Sequence, residues 1–235
     1  MKSLVFSHRG KRKTNQDYVL IQNINPDTHL FLIADGMGGY ENGDVAAKIV
    51  VENIHTYLSN VQEIEVQHIQ KAINKANLLI KQLRDKKQMK IGATVGGLIL
   101  NELKSFLFWV GDVKIFHFRD NALLFETPAH TLMNEVIESG AISNIKQINK
   151  YRHIVTRSVQ GDIELSQADT RIIERPHEKD LFIICSDGVH DIYDSIQIQQ
   201  LFKASNVIDE AMSAIEQRLK SEATDNFSMI AIANN

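Results

Sequence analysis

The sequence predicts an α+β fold built on antiparallel sheets, and three observations carry that prediction. Strand-like runs come in consecutive groups. Helical stretches fall between those groups and do not follow every strand. The joints between neighbouring strand runs are short and polar, as hairpins require. The alternating βαβ order of a parallel sheet is absent.

The elements follow in order. Strands are expected at 18–24 (YVLIQNI) and 29–35 (HLFLIAD), joined by the turn-forming Asn-Pro-Asp-Thr at 25–28. Two helices come next. Over 44–59, Ala46, Val50, Ile54 and Tyr57 share one face at a spacing near 3.6. Over 67–84, Ile69, Ala72, Ile73, Ala76, Ile80 and Leu83 do the same. Strands are then expected at 93–100, 105–111, 113–119 and 122–127, with hairpin joints at Asn-Glu-Leu-Lys and Arg-Asp-Asn. Later candidates are 152–159 (RHIVTRSV), 170–175, 180–187 and 227–233. A helix is expected over 207–219, with Ile208, Ala211, Met212, Ile215 and Leu219 on one face. The first helix pair suits one sheet, and the later helices a second.

Composition bounds the function. The 235 residues carry a formal charge of −3, so no global field favours nucleic acid or an anionic membrane. Lys11-Arg12-Lys13 is too short a basic cluster to change that. Cys185 is the only cysteine and lies in the apolar run LFIIC, which reads as a buried residue in a reducing compartment. The N-terminal stretch lacks the pattern of a signal peptide, and no apolar run reaches roughly 18 residues. The expectation is a cytoplasmic, single-domain protein that binds neither nucleic acid nor membrane.

The stretch LFLIADGMGG, residues 30–39, places Asp35 at the end of an apolar run with glycines behind it. A hairpin at Asp-Gly would need a strand immediately afterwards, and the chain instead turns glycine-rich and helical. A dinucleotide fingerprint fails because Glu41 stands where the third glycine belongs. LFIICSDG repeats the pattern and puts Asp187 in the same position. Asp112 follows FWVG, and Asp225 precedes a fourth apolar run. Four carboxylates at strand boundaries repel one another unless something neutralises them, and a cation does so. Oxygen ligands without paired His or Cys select a hard ion, Mg²⁺ or Mn²⁺. The missing side chain at Gly36 leaves its carbonyl free to reach such an ion. Near the N-terminus, Arg12 has the fork geometry to clamp a phosphoryl group, and Asp17 can support waters around a metal. Read locally, that loop is equally a solvated basic turn.

Taken together, the motifs resemble the protein phosphatase 2C family in its small bacterial form. RGKRKTNQD, IADGMGG, GATVGGLIL, WVGDVKIF, HIVTRSVQGD, CSDGVHD and TDNFSMI occur in the family's order over nearly the whole chain. The resemblance implies an α-β-β-α sandwich of two antiparallel sheets flanked by helix pairs. It also implies a flap subdomain at about 131–152. It implies a serine/threonine protein phosphatase with a binuclear Mn²⁺/Mg²⁺ centre, and a possible third ion. Asp35 would bridge two ions and the Gly36 carbonyl would bind one. Asp187 and Asp225 would hold the other, and Asp112 and Asp187 would share the third. Arg12 would bind the substrate phosphate, with Asp17 and Asn226 as supports behind the ligands. Water would attack phosphorus in line, with no phosphoenzyme intermediate. Phosphorylated proteins would be the substrates, an opposing serine/threonine kinase the partner, and a monomer the working form.

The chain departs from the family at several points. Met37 stands where animal members often carry His after Asp-Gly, Gln16 replaces a common Glu, and Ala129 replaces the Asp that many relatives have before His130. Two other readings are a catalytically dead binding module and a two-metal hydrolase for another phosphate ester, such as a nuclease. The full set of carboxylates speaks against the first, and the lack of a basic stripe against the second.

Overall fold

The computed structural model describes residues 1–37, 42–88, 90–140, 149–205 and 207–234. Among the described residues, ten strands form two antiparallel five-stranded sheets. The first has the order β2 (Asp17–Asn25), β3 (Thr28–Gly36), β4 (Ala93–Asn101), β5 (Lys104–Val110) and β8 (Asp169–Glu174). The second has the order β1 (Lys2–His8), β10 (Phe227–Ala233), β9 (Asp180–Cys185), β6 (Lys114–Arg119) and β7 (Ala122–Glu126). Helices α1 (Gly43–Leu58) and α2 (Val66–Lys87) cover the first sheet. The second carries α4 (Asp187–His190), α5 (Ser195–Ala204) and α6 (Ile208–Glu222). A short α3 (Leu132–Glu138) lies after β7.

Strand periodicity explains the layers. Successive side chains on a strand point to opposite faces. In β3, Leu30, Leu32 and Ala34 pack toward α1 and α2, whereas Phe31 and Ile33 point into the space between the sheets. In β10, Met229 and Ala231 face the second helical layer, whereas Ile230 and Ile232 face the first sheet. Both faces of these central strands are buried, so they read as continuous apolar runs. Three apolar clusters result: one under each helical layer and one between the sheets. Cys185 is buried among them, and burial pushes its thiol above the ordinary value.

Three differences from the sequence reading have physical causes. Residues 152–159 do not form a strand. Their backbone meets one segment after another: Thr156 N–H donates to the His130 carbonyl, Ser158 to Leu165 and Val159 to Ala93. Two isolated bridges remain, Val155 to Thr131 and Val159 to Ala93, and no continuous ladder forms. Strand β1 goes unread in the sequence because it is an edge strand with only Phe6 buried. Helix α5 is short, with only Ile198 buried, but it has a readable start: Asp194 accepts from the Gln197 N–H while the Gln197 side chain accepts from the Asp194 N–H. Of the expected flap at about 131–152, residues 141–148 lie outside the described residues.

Candidate metal centre

The two sheets deliver acidic residues to one end of the sandwich. Asp17 begins β2 and pairs in register with Asp35 near the end of β3. Asp112 lies in the connection from β5 to β6, where the chain leaves one sheet for the other. Asp187 opens α4 directly behind β9, and Asp225 lies two residues before β10. The first sheet thus supplies Asp17 and Asp35, the crossover between the sheets Asp112, and the ends of the second sheet Asp187 and Asp225.

These carboxylates feel one another. Burial raises Asp35 well above the ordinary carboxylate value, and the charges of Asp17, Asp187, Asp112 and Asp225 raise it further. Burial likewise raises Asp187, with Asp112 and Asp225 adding to the effect. Asp112 is raised chiefly by burial. Burial lifts Asp17 to about 6, against the opposing hydrogen bonds from Ser228 and Ser186.

Asp17 also ties the sheets together. Its Oδ2 accepts from Ser186 Oγ at 2.8 Å and Ser228 Oγ at 2.6 Å, so a β2 residue is bonded to the end of β9 and the start of β10. The sequence reading gave neither serine a role, although Ser186 lies within CSDGVHD and Ser228 within TDNFSMI. Asn226 organises the N-terminal loop. Its Oδ1 accepts from Gln16 N–H at 2.9 Å, and its Nδ2 donates to the carbonyls of Arg9 at 2.8 Å and Thr14 at 2.9 Å. That loop carries Arg12, whose Nη2 donates to Asp225 Oδ2 at 2.6 Å. The hydrogen bond and charge of Asp225 raise the guanidinium above its ordinary value.

Gly36 has a packing reason as well as the chemical one. A Cβ there would lie 2.2 Å from the backbone carbon of Gly43, so the first turn of α1 sits directly on the end of β3. Two histidines brace the backbone at Gly111 and Asp112. The His190 Nε2–H donates to the Asp112 carbonyl at 3.0 Å, and burial pushes that imidazole down to about 4, so it is neutral near pH 7. His130 Nδ1 accepts from Gly111 N–H at 3.0 Å, and Nε2 faces Asp169 Oδ2 at 3.2 Å. The loop where Ala129 departs from the family thus clasps the residue before Asp112.

Among the described residues, no three His, Cys, Asp or Glu side chains form a ready-made metal cage. The donor set nevertheless fits a hard cation. Asp17 Oδ1 and Asp187 Oδ1 are buried without hydrogen-bond partners. Unpartnered carboxylate oxygens that raise each other's proton affinity are stabilised by a divalent ion, which prefers oxygen ligands. Asp35, Asp112, Asp187 and Asp225, with the Gly36 carbonyl, are the groups available to hold one.

Residues 6–226 match the family model described as Protein phosphatase 2C. The serine/threonine phosphatase Stp of Listeria monocytogenes serotype 4b is 27% identical over 216 residues, covering 86% of this chain and 83% of its own. The crystal structure of the serine/threonine phosphatase Stp1 from Staphylococcus aureus superposes with a TM-score of 0.87 at 21% identity, over 99% of this chain and 94% of that one. The catalytic domain of the serine threonine protein phosphatase PstP, in complex with 2 manganese ions, superposes with a TM-score of 0.81 at 22% identity, over 98% and 96%. These structural likenesses speak for the fold alone. With a family match that runs over nearly its whole length, the chain belongs to the protein phosphatase 2C family.

Proposed function

We propose that this protein phosphatase hydrolyses phosphoserine and phosphothreonine monoesters with two, or three, divalent ions. The observation that carries the proposal is the convergence of Asp17, Asp35, Asp112, Asp187 and Asp225, whose mutual repulsion calls for cations. Asp35 and the Gly36 carbonyl, with Asp187 and Asp225, would hold the two ions, and Asp112 with Asp187 the third. When bound, Mn²⁺ or Mg²⁺ supplies an activated water and offsets charge on the phosphoryl oxygens. The manganese in the PstP structure supports this choice of metal for the present chain.

The remaining work falls to the chain's own groups. The Arg12 guanidinium would match two phosphoryl oxygens and hold the phosphorus in line for attack. With water as the attacking group, no phosphoenzyme would form. Asp17, held by Ser186 and Ser228, orients water from behind Asp35. Asn226 keeps the Arg12 loop in place. Met37 has no proton to give, so the proton for the leaving alkoxide comes from another group. The proposal takes residues 1–235 as one phosphatase domain with a flap at about 131–152. It takes phosphoproteins as substrates, a serine/threonine kinase as the opposing enzyme, and a cytoplasmic monomer as the working form. No helix among the described residues is long and apolar enough to cross a membrane.

The test is a panel of phosphoserine and phosphothreonine peptides, p-nitrophenyl phosphate and single-stranded DNA, assayed with and without Mn²⁺. Wild type should cleave the phosphate esters only with Mn²⁺ and leave DNA intact, and Asp225→Ala should be inactive. Undiminished turnover in Asp35→Ala, or DNA cleavage in place of phosphopeptide cleavage, would defeat the proposal.

A further inference from the structure

The Arg12 clamp is flanked by cations that the proposed chemistry does not use. Arg9, Lys11 and Lys13 are exposed, and among the described residues none of them forms an ion pair. The carboxylates on the neighbouring part of the chain are already engaged. Glu216 pairs with His8 and Lys220, each at 2.6 Å. Glu222 pairs with Arg218 at 3.0 Å, and Asp225 with Arg12. A chain of net charge −3 therefore presents exposed cations without ion pairs beside its clamp, next to the acidic cluster that divalent ions would neutralise.

The patch stands on a fixed base. Gly10 has φ +57, and a Cβ there would lie 2.0 Å from the Asp225 carbonyl oxygen, so only glycine lets the loop rest on that backbone. Beyond the Asn226 bonds to Arg9, Thr14 and Gln16, Asn15 Nδ2 donates to Ser7 Oγ at 2.8 Å. The backbone is thus pinned on both sides of Lys11 and Lys13, and a ligand need not order it. An extended peptide advances roughly 3.3–3.6 Å per residue. With its phosphate on Arg12, a peptide running along this loop would bring its flanking residues to the neighbouring lysines.

Building on the proposed phosphatase activity, we infer that Lys11 and Lys13 select phosphorylated segments carrying acidic residues beside the phosphorylated serine or threonine. Exposed ion pairs are weak, so each acidic residue gains about threefold, and two together on the order of tenfold. Screening by salt reduces the gain.

The test uses three phosphothreonine peptides of equal length whose flanks are Asp/Glu, Ala or Lys, with Mn²⁺, at low and high NaCl. Wild type should favour the acidic peptide over the alanine peptide by about tenfold in kcat/KM at low salt, less at high salt, and turn over the lysine peptide slowest. K11A/K13A should lose the preference and K11E/K13E should reverse it, with p-nitrophenyl phosphate turnover unchanged in both. Equal rates on the three peptides by wild type, or a preference that survives in K11A/K13A, would overturn the inference while p-nitrophenyl phosphate turnover upholds the phosphatase. Wild type inactive on every phosphate ester would overturn the phosphatase reading, and this inference with it.

Discussion

The Arg12 guanidinium and the Asp225 carboxylate, 213 positions apart in the chain, meet at 2.6 Å at the edge of the acidic cluster. One is the proposed phosphate clamp and the other a proposed cation ligand, so a cation and a guanidinium share one carboxylate. The pair is partly solvated, so its own contribution to stability is small. Its consequence is functional. Arg12→Ala should lower kcat/KM for phosphopeptides by about 10²-fold, the usual loss for one charge-stabilising donor. It should leave Mn²⁺ affinity unchanged or tighter, because Asp225 loses a competitor. Asp225→Ala should weaken Mn²⁺ binding. Calorimetric titration beside steady-state kinetics separates the two, and equal weakening of Mn²⁺ binding in both variants would refute the division of roles.

Asp17 gives a pH prediction. Burial lifts its folded value to about 6 from an ordinary 3.8, so the folded chain holds a proton that the unfolded chain releases. The stability tied to this group is fully present below 3.8 and is lost as pH rises through about 6. The two-unit difference corresponds to about 3 kcal/mol. His190, His117 and His130, all pushed down by burial, give a slope of opposite sign over part of this range. Comparing wild type with Asp17→Asn in chelator cancels the histidines. Between pH 4 and 6.5 the wild type should lose about 2 kcal/mol relative to the variant by urea unfolding, because part of the unfolded-state titration lies below this window. Parallel curves would refute it. Added Mn²⁺ should raise the wild-type Tm more at pH 7 than at pH 5, since protons and cations compete for the same oxygens.

Strand β4 shows why a run of small residues belongs beside the site. A Cβ on Gly97 would lie 2.5 Å from both Leu32 Cδ2 and Phe108 Cζ in the cluster under α1 and α2. Gly96 faces the other way, and its Cβ would lie 2.5 Å from Val113 Cγ1 in the cluster between the sheets. Gly97→Val should therefore cost about 1–3 kcal/mol by overpacking. The expected fall in Tm is roughly 2–4 °C per kcal/mol for a chain of this size. An unchanged melting curve would show that the layers are looser than these distances indicate.

Much of this was readable in the sequence, because central strands and amphipathic helices write their burial into their periodicity. Thr28–Gly36, Ala93–Asn101 and Phe227–Ala233 are apolar on both faces, and α1 and α2 on one face. The aspartates were readable because a carboxylate behind an apolar run is out of place. The serines that hold Asp17 were not, since a hydroxyl beside a strand is unremarkable until folding brings β2 against β9 and β10. Edge strand β1 gave too little periodicity to find. RHIVTRSV gave too much, because its apolar and β-branched residues suit a strand that the neighbouring backbone does not offer.

Asp180 tests the fold apart from the chemistry. Its side chain is fully buried. Burial pushes its carboxyl up, but the Arg119 guanidinium, the His177 N–H and His117 outweigh that and hold it below the ordinary value. Arg119 supplies two of those bonds, Nε to Oδ1 at 2.7 Å and Nη2 to Oδ2 at 2.9 Å. The stability from this carboxylate is present above 3.8 and is lost as pH falls through its lower folded value. Arg119→Ala leaves a buried charge without its main partner and should cost about 3 kcal/mol at pH 7. The loss should shrink toward pH 4, where the orphaned carboxyl takes up a proton. Turnover of p-nitrophenyl phosphate per folded molecule should stay at the wild-type level, because Asp180 opens β9 and Asp187 lies past that strand's other end. Urea unfolding at pH 4 and pH 7, beside activity at a temperature where the variant is folded, provides the check. A pH-independent loss would mean that Arg119 acts by packing its stem, and the charge argument would be wrong.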